Sequence, residues 1–384
     1  MNDSPLLVAF NGSALLSPLT GVGQYSKSLA ESLAVSHDVE LRLFYAAVWS
    51  NEIRTGPIKE IGAIKEFIKR VVPHPYEVSR AIQQWRFSTG IRAIRPHIYH
   101  EPNFLPFRFD GPTVITAHDL SWIRFPETHP DERVAVMNRM FPKALERASH
   151  VLTDAEYVRR EIIDEFGVRP DRITSVPLGA RSIFRPRSAL ECRPPLAELG
   201  LAFRQYVLCV GTLEPRKNLE LAIRAYAAMP GAFRERHPLV TVGMRGWLTS
   251  GLESIMQPLV SSGELRPLGF ASDETLAALY AGAMVLVYPS LYEGFGLPPL
   301  EAMASGTPVI VSDRSTLPEV VGSAGIIIDA QDDVGLREAL LRLSEDPDHW
   351  RERAEAGVVQ ASGFSWARCA EETLGVYRRV LKGS

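Results

Sequence analysis

Short apolar runs alternate with amphipathic helical segments along most of the chain, and the alternation occurs in two cycles. In the second cycle, the strand-like runs 206–210 and 284–288 bracket helical patterns such as 218–228 and 273–281. Strands that alternate with helices are typical of a parallel sheet covered on both faces. The predicted fold class is therefore α/β, with two Rossmann-like, doubly wound domains facing across a cleft.

The chain has 384 residues, about twice the usual size of one domain. Between Pro186 and Pro195 the apolar pattern lapses into Pro, Arg and Ser, which predicts a linker. We expect an N-terminal domain over residues 1–190 and a C-terminal domain over residues 191–364. The last helical pattern, 365–384, is long enough to cross back onto the first domain.

Composition excludes several classes of protein. The chain is 46% hydrophobic and 23% charged, as in an ordinary globular protein, and its net charge of −3 argues against nucleic-acid binding. Residues 1–190 are mildly basic, with 24 Lys/Arg and 21 Asp/Glu. Three widely spaced cysteines indicate free thiols in a reducing compartment. Because the start lacks a basic leader and no apolar run approaches about 18 residues, we expect a cytoplasmic protein.

The segment Ser290–Glu301 links a strand-like run to a helical one. Gly294 and Gly296 allow the backbone to approach a bound group, and the first turn of the following helix favours an anion. Two carboxylates, Glu293 and Glu301, do not suit phosphate, but a carboxylate accepts hydrogen bonds from adjacent sugar hydroxyls. The alternative is an ordinary strand-to-helix turn with two solvated acids.

A second strand, Val207–Val210, runs into Gly211 and Thr212 and then into Arg216 and Lys217 at a helix start. The macrodipole disfavours cations there by roughly 0.3–1 kcal/mol. Two cations in this place indicate an anion, and a diphosphate would be held by the planar guanidinium and the ammonium together.

The first half carries two weaker signals. The glycine loop at Gly21 and Gly23 is a poor dinucleotide fingerprint and is better interpreted as a short loop that closes over a phosphate. His118 and Asp119 follow the strand-like run 113–117, where doubly wound sheets bind ligands, and Trp122 could form an acceptor wall. A structural role for His118 and simple packing of Trp122 are the alternatives.

No metal site is predicted. The acids between Asp329 and Asp333 resemble an Asp-x-Asp motif, but they precede a helix and fit helix capping better. The segment 58–72 has a basic amphipathic pattern with a net charge of +2, which suggests either a contact with an anionic membrane or docking on its own domain.

These motifs, in this order, resemble the retaining glycosyltransferases of family 4, which have the two-domain GT-B architecture. The resemblance covers nearly the whole chain, and it is strongest to bacterial mannosyl- and rhamnosyltransferases of surface-polysaccharide assembly. The motifs that carry it are Gly21-Val22-Gly23, His118-Asp119, Gly211-Thr212 with Arg216-Lys217-Asn218, and Glu293 and Glu301 with Gly294-Phe295-Gly296.

The resemblance implies a role for each matching residue. Arg216 and Lys217 would hold a diphosphate, Glu301 the ribose hydroxyls, and Glu293 the sugar. The implied catalytic residues are His118, Arg216, Lys217 and Glu293. The implied donor-binding residues are Gly21, Gly23, Gly211, Thr212, Arg216, Lys217, Gly269, Phe270, Ser290, Glu293, Gly294, Phe295, Gly296, Leu297 and Glu301. The implied acceptor-side residues are His118, Asp119 and Trp122.

The resemblance also implies the reaction. A hexose would pass with retention, by front-face displacement, from a nucleotide-diphospho-sugar, here expected to be GDP-linked, to a hydroxyl of a lipid-diphosphate-linked glycan. No cofactor or metal is expected. A nucleotide-sugar 2-epimerase of the same architecture and a non-catalytic nucleotide-sugar binding protein are the alternatives, and Glu293 is either a nucleophile or a positioning group.

Overall fold

The computed structural model describes residues 5–16, 19, 21–56, 75–244, 246 and 250–383. The chain divides into two compact units, each interrupted in sequence. Unit 1 comprises Met1–Asp119, Ala135–Leu178 and Trp366–Ser384, and unit 2 comprises Leu120–Val134 and Gly179–Ser365. The predicted membrane-contact segment, 58–72, lies outside the described residues.

Unit 1 contains a seven-stranded sheet in the order β3-β2-β1-β4-β5-β6-β7. All pairs are parallel except β2 with β3 at one edge. The strands are β1 Leu6–Asn11, β2 Val39–Tyr45, β3 Val48–Ser50, β4 Ile98–Glu101, β5 Thr113–Thr116, β6 His150–Thr153 and β7 Ile173–Ser175. Six of these strands follow the doubly wound order, in which β2 is added on one side of β1, and β4 to β7 are then added in turn on its other side.

Unit 2 contains a six-stranded parallel sheet in the order β10-β9-β8-β11-β12-β13. Its strands are β8 Val207–Val210, β9 Leu239–Val242, β10 Leu265–Gly269, β11 Val285–Tyr288, β12 Val309–Ser312 and β13 Ile326–Ile328. The central strands are apolar throughout because helices cover both faces, and Val207, Val285 and Ile310 are at most 1% exposed. The α/β, doubly wound prediction is confirmed in both units.

The helices flank these sheets. They are α1 Gly21–Val35, α2 Pro75–Ile94, α3 Ser121–Arg124, α4 Asp131–Arg147, α5 Glu156–Phe166, α6 Ala189–Glu198, α7 Leu219–Ala227, α8 Gly231–Arg236, α9 Ser250–Ser261, α10 Asp273–Gly282, α11 Leu297–Ala304, α12 Leu317–Val321, α13 Asp333–Glu345, α14 Pro347–Ser362 and α15 Trp366–Lys382. The terminal helix α15 belongs to unit 1.

The predicted linker is wrong. Residues 189–198 form helix α6, and the division between the units falls between Leu178 and Gly179, ahead of the expected boundary at residue 190. Ser188 and Glu191 form a capping box at the start of α6, and Leu196 is buried against Gly282 of α10. The Pro-rich composition predicts a linker, and nothing in that local composition indicates the contact between Leu196 and α10.

The first glycine loop also differs from its prediction. Helix α1 starts at Gly21, so Gly21 and Gly23 lie in its first turn and not in a loop before it. Gly23 packs closely, because a Cβ added there would lie 3.1 Å from Leu19 Cδ2. The absence of a side chain at Gly23 therefore leaves room for Leu19 where the chain enters the helix.

Candidate functional site

Unit 2 has a topological switch point between β8 and β11. From β8 the chain moves outward through β9 and β10, and it then returns to the other side of β8 as β11. Loops that leave adjacent strands in opposite directions open a crevice at the carboxyl ends, where doubly wound sheets bind ligands. The two loops at this crevice begin at Gly211 and at Pro289, and they contain most of the predicted donor-binding residues.

Glycines hold the first of these loops in place by direct backbone contact. Gly211 has φ 149° and Gly243 has φ 152°, values that favour glycine. A Cβ on Gly243 would lie only 1.9 Å from the carbonyl oxygen of Gly211, so no other residue fits there. Gly243 N also donates to Gly269 O at 2.8 Å, which ties the ends of β9 and β10 to the same loop.

The basic pair lies on a short 3₁₀ turn, Pro215–Lys217, that ends at Asn218. Asn218 adopts a left-handed conformation with φ 52°. Its Nδ2 donates to the carbonyl oxygens of Pro289 at 3.0 Å and Ala330 at 2.8 Å. This amide joins the loop after β8 to the loop after β11 and so fixes the position of Lys217 relative to Glu293.

Glu293 accepts from both cations. Lys217 Nζ donates to Glu293 Oε1 at 2.7 Å and to the Tyr288 hydroxyl at 3.0 Å. Arg216 Nη1 lies 3.5 Å from Glu293 Oε2, and Arg216 Nη2 donates to Glu214 Oε1 at 2.6 Å. Two cations and two carboxylates therefore form one connected cluster at the switch point.

Burial and neighbouring charges shift the pKa values of Glu293 and Lys217 in this cluster. Burial would raise the pKa of Glu293, but Lys217 and Arg216 outweigh it and hold that pKa at about 2. Burial lowers the pKa of Lys217, and Glu293 partly restores it. Glu293 is only 7% exposed, so it is a carboxylate kept ionised by its two cationic neighbours.

The loop from Ser290 to Gly296 is fixed by three hydroxyls of the following strand and turn. Glu293 N donates to Ser315 Oγ at 2.8 Å, and Thr316 Oγ1 donates to Phe295 O at 2.7 Å. Ser312 Oγ donates to Ser290 O. Held in this way, Glu293 has little freedom to leave its position.

Helix α11 begins immediately after this loop. Gly296, which precedes it, has φ 113°, and a Cβ there would lie 3.0 Å from Leu317 Cδ2. Pro298 lies in the first turn, where its missing N–H costs no helical hydrogen bond. Leu297 and the backbone of Gly294–Gly296 thus form the tight entry to the helix that bears Glu301.

Glu301 lies in a different environment from Glu293. It is 7% exposed, and its Oε1 is 3.7 Å from Arg181 Nε. Burial raises the pKa of Glu301 to about 7, although the Arg181 charge opposes the rise. Arg181 is itself held by Asp273, 2.6 Å from its Nη1, and its guanidinium lies over the ring of Phe184. The two glutamates therefore differ in charge state near neutral pH.

The base edge predicted from the sequence follows β10. Gly269 has φ 67°, and the Phe270 side chain is 74% exposed. The backbone of Gly269 accepts from Gly243, whose own backbone touches Gly211. Unit 2 thus brings Gly211, Thr212, Arg216, Lys217, Ser290, Glu293 and Gly294–Leu297 to the switch point, with Gly269 at its margin. It does not place Phe270 against the ionic cluster.

His118 has an internal partner for each ring nitrogen. Nδ1 lies 2.7 Å from Asp154 Oδ2, and Nε2 lies 2.8 Å from the carbonyl oxygen of Pro102. Burial disfavours the imidazolium, but Asp154 raises the pKa of His118 above its ordinary value. A contact between His118 and a sugar hydroxyl stays a prediction, and it requires the Pro102 contact to be exchanged.

The other predicted acceptor-side residues also stay predictions. Trp122, in α3, is 1% exposed and presents almost no surface, so a role as an acceptor wall would require it to move. Asp119 lies two residues before the start of α3 and raises the pKa of His118 through its charge. Gly21 and Gly23, with His118 and Asp119, belong to unit 1, whereas Trp122 belongs to unit 2.

Sequence reasoning missed three side chains of the site. Glu214 binds Arg216, Tyr288 binds Lys217, and Arg181 approaches Glu301. Glu214 had a detectable signal, because an acid two residues before the basic pair can fold back onto it. Tyr288 and Arg181 had none, since their partners lie far away in the sequence.

The acids near Asp329 act as local partners. Asp332 Oδ1 accepts from Gly335 N at 2.8 Å at the start of α13, and Asp329 pairs with Arg314 at 2.8 Å. Asp332 thus has the capping role that the sequence predicts, whereas Asp329 forms an ion pair. Within the part of the chain that the structure describes, no helix is long and apolar enough to cross a membrane.

Known protein families and sequences match this chain along most of its length. The family model "Glycosyltransferase Family 4" matches residues 19–181, and "Glycosyl transferases group 1" matches residues 202–358. The O-antigen chain mannosyltransferase B of Escherichia coli is 40% identical over 370 residues, which cover 94% of this chain and 96% of that protein. The chain belongs to glycosyltransferase family 4. It is therefore a glycosyltransferase, and the switch-point cluster lies in its group 1 part.

Solved structures agree on the fold of this glycosyltransferase. Sucrose-phosphate synthase from Thermosynechococcus elongatus superposes with a TM-score of 0.79 at 21% identity, covering 99% of this chain and 100% of that one. WaaG, a glycosyltransferase involved in lipopolysaccharide biosynthesis, superposes with a TM-score of 0.72 at 17% identity, covering 96% and 99%. The predicted GT-B architecture is confirmed.

Proposed function

We propose that this glycosyltransferase transfers mannose, or a related deoxyhexose, from a GDP-linked donor to a lipid-linked glycan during surface-polysaccharide assembly. The observation that carries the proposal is the ionic cluster of Arg216, Lys217 and Glu293 at the switch point of unit 2. The 40% identity to an O-antigen chain mannosyltransferase over nearly the whole chain supports the sugar and the pathway.

The proposed reaction retains the anomeric configuration. The bond between the sugar C1 and the diphosphate oxygen breaks while the acceptor oxygen approaches the same face. The acceptor proton passes to the departing phosphate oxygen. Arg216 and Lys217 stabilise the negative charge that develops on the diphosphate, which requires them to be in place beforehand. No metal is required in this proposal, because the two cations meet that charge.

The two glutamates have separate proposed roles. Glu293, kept ionised by Lys217, positions the transferred sugar and favours positive charge at C1. Glu301, one turn into α11, accepts hydrogen bonds from the ribose hydroxyls. Of the two open roles for Glu293, we favour positioning, since its low pKa and its cationic partners make it a weak nucleophile.

Nucleotide binding tests the donor. Thermal denaturation with GDP, UDP and ADP, each at the same excess, will identify the base, because a bound ligand stabilises the fold by RT ln(1 + [L]/Kd). We expect GDP to give the largest shift. Equal shifts for all three nucleotides would remove the GDP assignment but leave the glycosyltransferase assignment standing.

Product analysis separates the enzyme from its alternatives. Incubation with GDP-mannose and a lipid-linked glycan should release GDP only when the acceptor is present. A 2-epimerase would isomerise the donor without an acceptor, and a binding protein would release nothing. Location at the inner membrane face belongs to the same proposal and is tested by sedimentation with vesicles.

A further inference from the structure

Unit 1 has an open groove of about 660 Å³ between helices α2 and α4. Five cationic residues line it: Arg80, Arg108, Arg139, Lys143 and Arg147. Among the residues that the structure describes, no acidic side chain is part of the lining. The groove belongs to unit 1 alone and has no residue in common with the donor site of unit 2.

Helix α4 contributes a cationic stripe to this groove. Arg139, Lys143 and Arg147 follow each other at intervals of four residues, so they share one helix face, and the exposed Lys143 and Arg147 repel each other. Helix capping does not explain them, because Arg172 Nη2 already donates to the terminal carbonyl oxygens of Leu145 at 3.3 Å and Glu146 at 3.4 Å. An anion in the groove would relieve the repulsion.

The opposite side of the groove is held rigidly. Arg80 Nη2 donates to Leu105 O at 2.9 Å and Pro106 O at 3.0 Å. Gln84 accepts from Arg108 N at 2.7 Å and donates to Arg108 O at 3.1 Å. These bonds place the charge of Arg80 and the backbone of Arg108 in advance, so an incoming anion need not order them.

Two apolar side chains are exposed on helix α2, which forms one side of the groove. Trp85, 67% exposed, lies one helical turn after the groove-lining Ala81, and Ile82 is 37% exposed. Lysine and arginine attract anionic lipid headgroups, and exposed Trp is typical of the interface between headgroups and acyl chains. The combination favours a lipid surface over a free anion.

We propose that this groove is a phosphate-binding site that docks unit 1 on an anionic membrane. The cations would contact headgroup phosphates, and Trp85 and Ile82 would enter the interface. The inference deepens the proposed function, on which it rests only for the presence of a lipid-linked acceptor. Membrane binding is measured without sugar transfer, so the two proposals can fail separately.

The test is sedimentation of the full-length protein with vesicles of phosphatidylcholine containing roughly one third phosphatidylglycerol. In the groove variant, Arg108, Lys143 and Arg147, all exposed, are changed together to Glu. The control variant changes three exposed arginines elsewhere in unit 1, Arg54, Arg160 and Arg169, whose side chains are 50%, 73% and 72% exposed. Both variants alter the net charge equally.

We expect the vesicle affinity of the groove variant to fall at least about tenfold and that of the control variant to stay within about threefold of the wild type. Salt screens charges that lie more than about 10 Å from the membrane, so only charges at the contact surface affect binding strongly. A Trp85→Ser variant, uncharged, should also weaken binding. Equal losses in both charge variants, or no loss in the groove variant, would overturn the proposal. An unchanged urea midpoint shows that each variant is folded.

Further arms separate the other sources of binding. Inorganic diphosphate at millimolar concentration should release only part of the bound protein, because it does not replace the contact of Trp85. If diphosphate binds the groove and the groove variant still binds vesicles normally, the groove is a site for a free anion and the proposal fails. If changing Lys65, Lys69 and Arg70 to Glu abolishes vesicle binding and the groove variant has no effect, the segment 58–72 is the anchor instead.

Discussion

Lys217 is the residue on which the donor site depends most. Its ammonium contacts Glu293 and Tyr288, and burial of the ammonium lowers its pKa. Removing either partner of a buried ion pair leaves the other charge uncompensated. The proposed reaction needs the Lys217 ammonium at the diphosphate and the Glu293 carboxylate at the sugar.

We predict that Lys217→Ala and Glu293→Ala each reduce the initial rate of sugar transfer by at least ~100-fold, the effect of losing one preorganised charge contact. Arg224→Ala is the control, because Arg224 is a 58% exposed side chain on the neighbouring helix α7. Near-normal transfer by both site variants would contradict the site assignment.

Glu301 carries a prediction about pH and stability. Burial raises its pKa in the folded chain from 4.5 to about 7, so folding favours its protonated form. The stability of the wild type therefore falls as the pH rises from 4.5 through 7, and the cost above pH 7 is about 3 kcal/mol. We predict that Glu301→Gln has the higher urea midpoint at pH 8 and that the difference shrinks toward pH 5.

The same substitution should weaken nucleotide binding. A ribose is uncharged, and its two adjacent hydroxyls donate hydrogen bonds that an ionised carboxylate can accept together. We expect wild-type affinity for GDP to decrease as the pH falls below about 7, and the affinity of Glu301→Gln to be weaker and independent of pH. A variant that is neither stabilised at pH 8 nor impaired in binding would place Glu301 outside the site.

At the scale of secondary-structure elements, the entry to α11 is the most constrained turn of the site. Gly296 has φ 113°, and Leu317 occupies the space into which a Cβ would point. The loop with Glu293 and the helix with Glu301 meet at this residue, so one substitution disturbs both glutamates.

We predict that Gly296→Ala lowers the free energy of unfolding by about 1–3 kcal/mol and weakens GDP binding. Gly375→Ala is the matched control: Gly375 lies in α15 with open space around it, and alanine there should stabilise the helix by about 0.5–1 kcal/mol. Urea denaturation checks both changes, and loss of stability in both variants would show that the left-handed backbone is not the cause.

At the scale of the whole molecule, the two units have separate sheets and separate cores. Four charged side chains are proposed to contact the donor, and all of them lie in unit 2: Arg216, Lys217, Glu293 and Glu301. Binding should therefore raise the local stability of that unit most strongly.

We predict that GDP slows hydrogen exchange in β8 and β11 more than in β1 and β5. The switch-point loops leave β8 and β11, whereas β1 and β5 belong to the sheet of unit 1. Mass-spectrometric exchange with and without GDP measures this. Equal slowing in both sheets would mean that the nucleotide acts on the molecule as one cooperative body and not through unit 2.

Local patterns were sufficient for the architecture. The apolar runs are short, regularly spaced and bounded by turn residues. The alternation of strands and helices that defines a doubly wound sheet can therefore be recognised from short stretches of sequence. The exceptions are instructive. Residues 186–195 predict a linker because the apolar pattern lapses into Pro, Arg and Ser, yet the structure has helix α6 over Ala189–Glu198, with a capping box at its start and Leu196 packed against α10.

The sequence by itself determined which residue types stand at the switch point: glycines for close backbone contact, a basic pair at a helix start and two glutamates around a tight turn. Only the tertiary structure decided how they pair. Lys217 and Glu293, or Arg181 and Glu301, lie far apart in the chain, and no local pattern encodes a contact of that range. Because each pKa depends on burial and on nearby charges, the low value at Glu293 and the high value at Glu301 appear only when the strands are assembled.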